Sequence, residues 1–185
     1  MKPWTDTMPP TTHRAHARTM SVEAESARLY LRPVAPSDWP VFRDYALSER
    51  ARVSMGADTE TAAWQGFAHL IGHRQIRGFA PLAIVLRGGD DRAIGMTGPY
   101  FPAGWPEPEL GWQLWDGEFE GKGYAYEAVV TARSWCAEAF GWQRMVSYIK
   151  EGNVRSIRLA ERLGCVLDET ARRRADGSPV WRHPE

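Results

Sequence analysis

The sequence predicts a mixed α/β domain: a mostly antiparallel central sheet of about six or seven strands, flanked by helices. Three observations carry this reading. Strand and helix patterns follow the order strand, two helices, three strands, helix, strand, helix, strands. The consecutive strands in the middle suit antiparallel pairing. One later strand–helix–strand unit is long enough for a parallel crossover.

ARLYLRPV (residues 27–34) alternates Leu29 and Leu31 with more polar positions and reads as the first strand. Pro36, Ser37 and Asp38 offer helix-start chemistry. WPVFRDYALSE then sets Trp39, Phe42, Tyr45 and Ala46 at helical spacing. A second helix is expected over residues 59–77, with Ala63, Phe67, Leu70 and Ile71 on one apolar face. PLAIVL (81–86) is an apolar run of strand length. The turn signal RGGDD follows, and residues 93–100 return as the partner strand.

The three prolines of FPAGWPEPE impose an irregular loop, after which ELGWQLW (109–115) restores a strand. The next helix is marked by Ala125, Ala128, Val129, Ala132, Trp135, Cys136 and Phe140, at steps that stack on one face. Residues 145–149 read as a strand and 153–163 as a short helix closed by Gly164. Residues 165–171 and 180–183 read as two late strands. No internal repeat is visible.

Composition narrows the function classes. A length of 185 residues suits one domain, assigned here to residues 27–185. Lys+Arg and Asp+Glu are both 23, which argues against bulk nucleic-acid binding. No apolar run approaches membrane-span length, so no membrane partner is expected. Cys136 and Cys165 form no C-x-x-C pair and read as small buried apolar residues. Residues 1–26 lack an apolar period and the apolar centre of a secretory signal. They read as a mobile tail, or in part as an extension ahead of a start at Met8 or Met20.

The chemistry-bearing feature is EFEGKGYAYEA, where Gly121 and Gly123 flank Lys122 just before the long helix. Glycines let an anion approach backbone amides, and a helix start presents free N–H groups. A simple strand-to-helix turn is the alternative. Two other phosphate motifs fail on spacing. A P-loop needs Gly where Asp116 stands, and the dinucleotide fingerprint needs Gly where Tyr126 stands.

EGKGYAYEA follows ELGWQLW and precedes a strand and NVRSIRLAERLGC. This succession resembles the GNAT superfamily of acyl-CoA N-acyltransferases, and most closely its branch of ribosomal-protein N-terminal alanine acetyltransferases. The resemblance runs from about residue 29 to residue 183 through LRP, ELGW, GKGYA, N-x-x-S and LGC, with VWRHP as a softer match. It implies a GNAT-like fold and direct transfer of an acetyl group from acetyl-CoA, a cosubstrate, to a primary amine. It implies no metal, a cytoplasmic enzyme, and an acceptor that is a small molecule or a protein N-terminus. A homodimer is compatible with it.

In the family's loop pattern Q/R-x-x-G-x-G/A, Glu120, Gly123 and Ala125 take the first, fourth and sixth positions. Because the family's loop amides bind the coenzyme A pyrophosphate, Gly121, Lys122, Gly123, Tyr124, Ala125 and Tyr126 inherit cofactor binding. Glu120 departs from the pattern and gives up a positive contact; Tyr126 replaces a smaller residue. By the same resemblance Asn153 contacts the pantetheine arm, and Ser156 contacts the cofactor and donates to the departing sulfur. The tyrosine often found some four residues later is absent, since Leu159 and Ala160 stand there. Backbone N–H from the strand holding Gly111, Trp112 and Gln113 would stabilise the carbonyl oxygen.

Glu109 is the candidate base, acting directly or through water, with Glu107 in reserve. Structural roles compete with each assignment. Asn153 is a good N-cap with Ser156 at N3, and Glu109 also reads as a solvated strand-end carboxylate. His69 and His73, four apart, read as a surface helix face rather than a metal pair. Arg172, Arg173 and Arg174 read as a solvated charge run, or as a 3′-phosphate contact. The acceptor is expected where the early helices and the 101–108 loop meet the sheet, near Trp64, Phe67, Tyr100, Phe101 and Trp105. A non-catalytic acyl-CoA-binding or sensory module, and a purely structural domain, are the rival functions.

Overall fold

In the computed structural model, which describes residues 21–54 and 56–185, the chain opens with strands β1 (Ala24–Glu25) and β2 (Leu29–Pro33) and helices α1 (Trp39–Ala46) and α2 (Glu60–Arg77). Strands β3 (Leu82–Leu86), β4 (Ala93–Tyr100) and β5 (Glu109–Leu114) follow. The second half holds α3 (Tyr124–Phe140), β6 (Val146–Tyr148), α4 (Val154–Arg162), β7 (Val166–Leu167) and β8 (Val180–Arg182). The strands form one sheet in the order β1-β2-β3-β4-β5-β6-β8-β7. The pairing of β5 with β6 is parallel and the others are antiparallel.

This is the mixed architecture expected, with eight strands rather than six or seven. The additional strand is the two-residue β1, too short to show a period; β7 is the strand expected over 165–171, shortened to two residues. The segment expected as a tail lies outside the described residues up to position 20, as do both candidate starts, Met8 and Met20. Its last part joins the sheet edge: Ala24 pairs with Leu31 and Glu25 with Tyr30.

Local chemistry sets the helix limits. Thr59 Oγ1 accepts the Ala62 N–H at 3.1 Å, and Gly78 ends α2 with φ +80°. Asn153 caps α4 through Oδ1, and the Pro36–Asp38 segment is a 3-10 turn leading into α1.

Both faces of the sheet are covered, which explains the uninterrupted apolar run of β3. Leu82 and Ile84 pack toward α3 with Leu29, Leu31, Val129, Ala132 and Cys136. The intervening Ala83 packs on the other face with Phe42, Phe67, Leu70 and Trp115, among α1 and α2. Cys136 and Cys165 are buried and unpaired, and burial pushes their thiols up to about 12 and about 11.

One charge is fixed deep in this frame. Arg32, 1% exposed, makes paired bonds to the Asp38 carboxylate at 2.7 and 2.8 Å. It also donates to the Asp91 backbone oxygen at 2.8 Å. The guanidinium therefore ties β2 to the turn before α1 and to the β3–β4 hairpin.

Candidate active site

The site begins where two parallel strands part. The β5–β6 register holds a single pair, Glu109 opposite Val146, so beyond that point the strands diverge. Two cavities occupy the opening. One, about 410 Å³, reaches the glycine loop, and the other, about 380 Å³, reaches Glu109. Both are lined by Ser54, Trp112, Gln113, Asn153 and Ser156, which makes them neighbouring compartments of one site.

The loop is shaped by its glycines. Gly121 and Gly123 have φ of +74° and +80°, in the left-handed region that other L-residues adopt at a cost. Gly123 is the N-cap of α3 and offers no side-chain cap, so the N–H groups of Tyr124, Ala125 and Tyr126 open the helix without intrahelical acceptors. The loop is anchored from behind. Arg28 donates to the Lys122 carbonyl at 3.1 Å and pairs with Glu127 at 2.6 Å, while Ser26 Oγ donates to Glu127 at 2.7 Å. Burial would raise the Glu127 pKa, but these donors outweigh it and hold the carboxyl below its usual range. Lys122 Nζ lies 5.6 Å from the Phe119 ring centre.

Glu120, the residue that breaks the expected pattern, does not leave the groove acidic. Its Oε1 accepts from Arg50 at 2.5 Å and Arg155 at 3.1 Å. Arg50 is held further by the Trp115 and Leu114 carbonyls at 3.1 and 3.2 Å. Arg155, Arg158 and Arg162 of α4 line the same groove. Sequence reasoning missed Arg50 and Arg155 because their shared partner, Glu120, is remote in the chain.

Glu109 is not a solvated strand end. Its side chain is 12% exposed, and Oε2 accepts the Trp105 indole N–H at 2.7 Å. Burial pushes its pKa above the ordinary carboxylate value, against the Trp105 hydrogen bond and the charge of Arg174. Arg174 stands 3.7 Å from Glu109, with its guanidinium 5.0 Å from the Trp105 ring and 5.3 Å from the Tyr148 ring. It also pairs with Asp176. Arg174 therefore belongs to the Glu109 compartment and not to a 3′-phosphate contact, while Arg172 and Arg173 are exposed. The Tyr148 hydroxyl lines this compartment, buried and without a hydrogen-bond partner among the described residues. Glu107, the reserve base, is committed to Arg182 by two bonds of 2.9 and 3.1 Å.

Tyr100 and Trp105 line the Glu109 compartment as expected, but the other three aromatics do not. Phe67 packs in the core against Trp39 and Phe42. Trp64 is half exposed beside Trp39, and Phe101 lies under Arg77. The histidine pair is also different from expectation. His73 is buried: Nδ1 bonds the Phe79 carbonyl at 2.8 Å, and Nε2 accepts the Phe101 N–H at 3.2 Å. His69 bonds the Tyr100 hydroxyl at 2.8 Å. His73 is therefore not on the surface as expected, whereas His69 is exposed; together they join α2 to the end of β4 and the loop after it. Among the described residues, no cluster of His, Cys, Asp or Glu has a metal-holding arrangement.

At the point of strand separation, Ser147 Oγ donates to the Leu110 carbonyl at 2.6 Å and accepts from His183 Nε2 at 2.9 Å. These bonds satisfy a β5 carbonyl where sheet pairing ends. Burial lowers the His183 pKa to about 4.

The structure thus gathers the sequence-predicted residues into two groups joined by a seam. Gly121, Gly123, Tyr124, Ala125 and Tyr126 line one compartment and Glu109 the other; Asn153 and Ser156 lie between them. Lys122 lies in the loop but does not line the groove. Asn153 is also the expected cap, with Oδ1 accepting the Ser156 N–H at 3.2 Å.

This arrangement meets its counterpart among known proteins. The family model for the acetyltransferase (GNAT) domain matches residues 28–166, and the chain belongs to that family. An acetyltransferase from Agrobacterium tumefaciens str. C58 is 36% identical and superposes with a TM-score of 0.81, over 89% of this chain and 96% of that one. The ribosomal L7/L12 alpha-N-protein acetyltransferase RimL, in complex with coenzyme A, gives 0.64 at 19% identity over 88% and 95%. A ribosomal-protein-S5-alanine acetyltransferase from Vibrio fischeri gives 0.60 at 17% identity over 86% and 93%. No curated protein matches the chain by sequence. The protein is an N-acetyltransferase that draws its acetyl group from acetyl-CoA.

Proposed function

We propose that the groove at the glycine loop holds the coenzyme A diphosphate on the amides around Gly123, and that the acceptor amine enters the Glu109 compartment. The observation that supports this reading is the shared lining of the two cavities by Trp112, Gln113 and Ser156, which would then stand between cofactor and acceptor. The pantetheine arm would pass Asn153 in the gap between β5 and β6. The thioester would then lie against the β5 backbone at residues 111–113, whose N–H groups are candidates to stabilise the developing oxyanion.

In this scheme the acceptor gives a proton to Glu109, directly or through water, and its nitrogen attacks the thioester carbonyl. The tetrahedral adduct collapses with loss of the coenzyme A thiolate, which takes a proton from Ser156 Oγ, and the adduct nitrogen passes its surplus proton back to Ser156 through water, leaving a neutral amide. Ser156 makes no hydrogen bond through Oγ to the described residues, so its donor is uncommitted. Burial of Glu109 supports the base role, because a raised pKa brings a carboxylate closer to that of the proton it must hold.

For the acceptor we favour a protein N-terminal amine, as in RimL and the S5-alanine enzyme. A cytoplasmic location fits two unpaired cysteines; cell fractionation tests it. A homodimer would appear as a doubled mass by light scattering. The decisive experiment is a thermal shift with acetyl-CoA, followed by thiol release across N-terminal peptides and small amines. Stabilisation plus transfer supports the proposal. Stabilisation without transfer indicates a non-catalytic acyl-CoA module, and the absence of stabilisation indicates a structural domain.

A further inference from the structure

The strand pairing sets a hydroxyl opposite the candidate base. Tyr100 and Glu109 are direct partners in the antiparallel β4–β5 ladder, and both line the compartment proposed for the acceptor. Residues paired in this way raise their side chains from the same face of the sheet, with Cβ atoms about 5 Å apart. Trp105 stands edge-on to the Tyr100 ring, centroids 5.4 Å apart, while its indole N–H holds Glu109. Burial, with the Glu109 charge behind it, pushes the Tyr100 pKa above its ordinary value, so the phenol keeps its proton. Two histidines of α2 fix this phenol. His73 stacks on the Tyr100 ring with centroids 5.0 Å apart. Its own nitrogens are committed: Nε2 accepts the Phe101 N–H, so the ring hydrogen is on Nδ1 and goes to the Phe79 carbonyl. His69 also lines the compartment. Its Nε2 lies 2.8 Å from the Tyr100 hydroxyl, and its Nδ1 makes no hydrogen bond to the described residues.

An attacking amine has to be aimed as well as deprotonated. Once Glu109 takes a proton, a primary amine still carries two N–H groups, and its lone pair must face the thioester. A single carboxylate leaves rotation about that contact free. A phenol oxygen whose own proton is turned away can accept one of the two N–H groups and so supply a second point. We infer that Tyr100 binds the acceptor nitrogen, its O–H donated to His69 Nε2 and its oxygen accepting an amine N–H. His69, with its ring hydrogen on Nδ1, and His73, stacked on the ring, are then positioning residues for the acceptor. The inference rests on the acceptor reading above and adds a second contact to it. The Tyr100 proton stays on its oxygen throughout, so the hydroxyl orients the nucleophile and transfers no proton.

The test is steady-state acetyl transfer to an alanine-initiated peptide at saturating acetyl-CoA, for the full native chain and for Tyr100→Phe, His69→Leu and His69→Gln. Tyr100→Phe should raise the peptide KM about tenfold with kcat within about twofold, as expected when a contact held equally in the ground and transition states is lost. His69→Leu should raise KM about fivefold, because the Tyr100 O–H is then free to turn into the compartment. His69→Gln should bring KM back to within about twofold of native, since a glutamine side-chain oxygen can accept in place of Nε2. Affinity for acetyl-CoA is expected to be the same in all four proteins. A native KM in Tyr100→Phe, whatever its melting temperature, would overturn the inference by leaving the His69 bond a structural tie alone. A fall in kcat at unchanged KM would overturn it by placing the hydroxyl in proton transfer. Equal KM values for His69→Gln and His69→Leu would remove the orienting role of His69. Absence of transfer by the native chain would overturn the acceptor reading itself.

Discussion

Trp105 donates its indole N–H to Glu109 at 2.7 Å, and both residues line the compartment proposed to take the acceptor. The bond orients a carboxylate whose burial raises its pKa. A base must be unprotonated to act, so kcat/KM for acetyl transfer is expected to rise through an acid limb above the ordinary glutamate value of 4.5. Glu109→Gln should remove that limb and slow single-turnover transfer by about 10²–10⁴-fold. An unchanged single-turnover rate would end the base assignment.

Arg174 works against that shift, because its positive charge favours the ionised carboxylate. Arg174→Ala should move the acid limb to higher pH. A limb that stays in place, measured over the same pH range, would show the two charges to be uncoupled.

The loop glycines and Lys122 should respond differently to replacement. Gly123→Ala forces a side chain into φ +80° with Arg28 Nη2 3.5 Å from the new Cβ, and Gly121→Ala imposes φ +74° in open space. Each is expected to cost about 1–2 kcal/mol in the loop conformation and to weaken acetyl-CoA binding. Lys122→Ala should change affinity by less than about threefold, since in the proposed site the backbone carries the contact. Titration calorimetry separates the cases, and a Lys122 effect exceeding both glycine effects would reverse the ranking.

Breaking the Arg32–Asp38 pair should be costly. Both side chains are at most 3% exposed, so Arg32→Met alone leaves a buried carboxylate without its partner. The expected loss is about 3–5 kcal/mol by urea unfolding. Replacing both as Arg32→Met/Asp38→Leu should cost less than the sum of the single changes.

His183 links stability to pH. Its pKa falls from 6.5 in the unfolded chain to about 4 in the folded one, so below pH 6.5 the unfolded state binds the proton more readily. The contribution is complete above pH 6.5 and is lost as the pH falls toward about 4. It amounts to about 3 kcal/mol. His183→Asn should flatten the pH dependence of unfolding over this window.

The parts of this molecule written locally were readable. Thr59 and Gly78 bracket α2, the RGGDD turn sets up β4, and Gly121 to Ala125 announce the start of α3. The parts that depend on distant partners were not. Glu120 meets Arg50 across 70 positions, and His73 is buried because Phe79 and Phe101 close over it. Arg174 reads as part of a charge run in sequence, yet the fold turns it in between Trp105 and Tyr148. Glu109 is recognisable by its place before LGW, but its burial is a property of the assembled loop.

The Glu120 clamp also bears on how this loop can change over generations. A negative side chain at position 120 would be tolerable beside the anionic cofactor proposed for this groove, because Arg50 and Arg155 answer it. Glu120→Arg by itself would crowd three cations together, and Arg50→Ala would leave Glu120 facing the cofactor with Arg155 as its one remaining partner. The three positions are therefore expected to respond to substitution as one unit. A chain with Gln or Arg at 120 would have no carboxylate for cations at 50 and 155 to answer, so exchanging position 120 should succeed when all three residues are exchanged together.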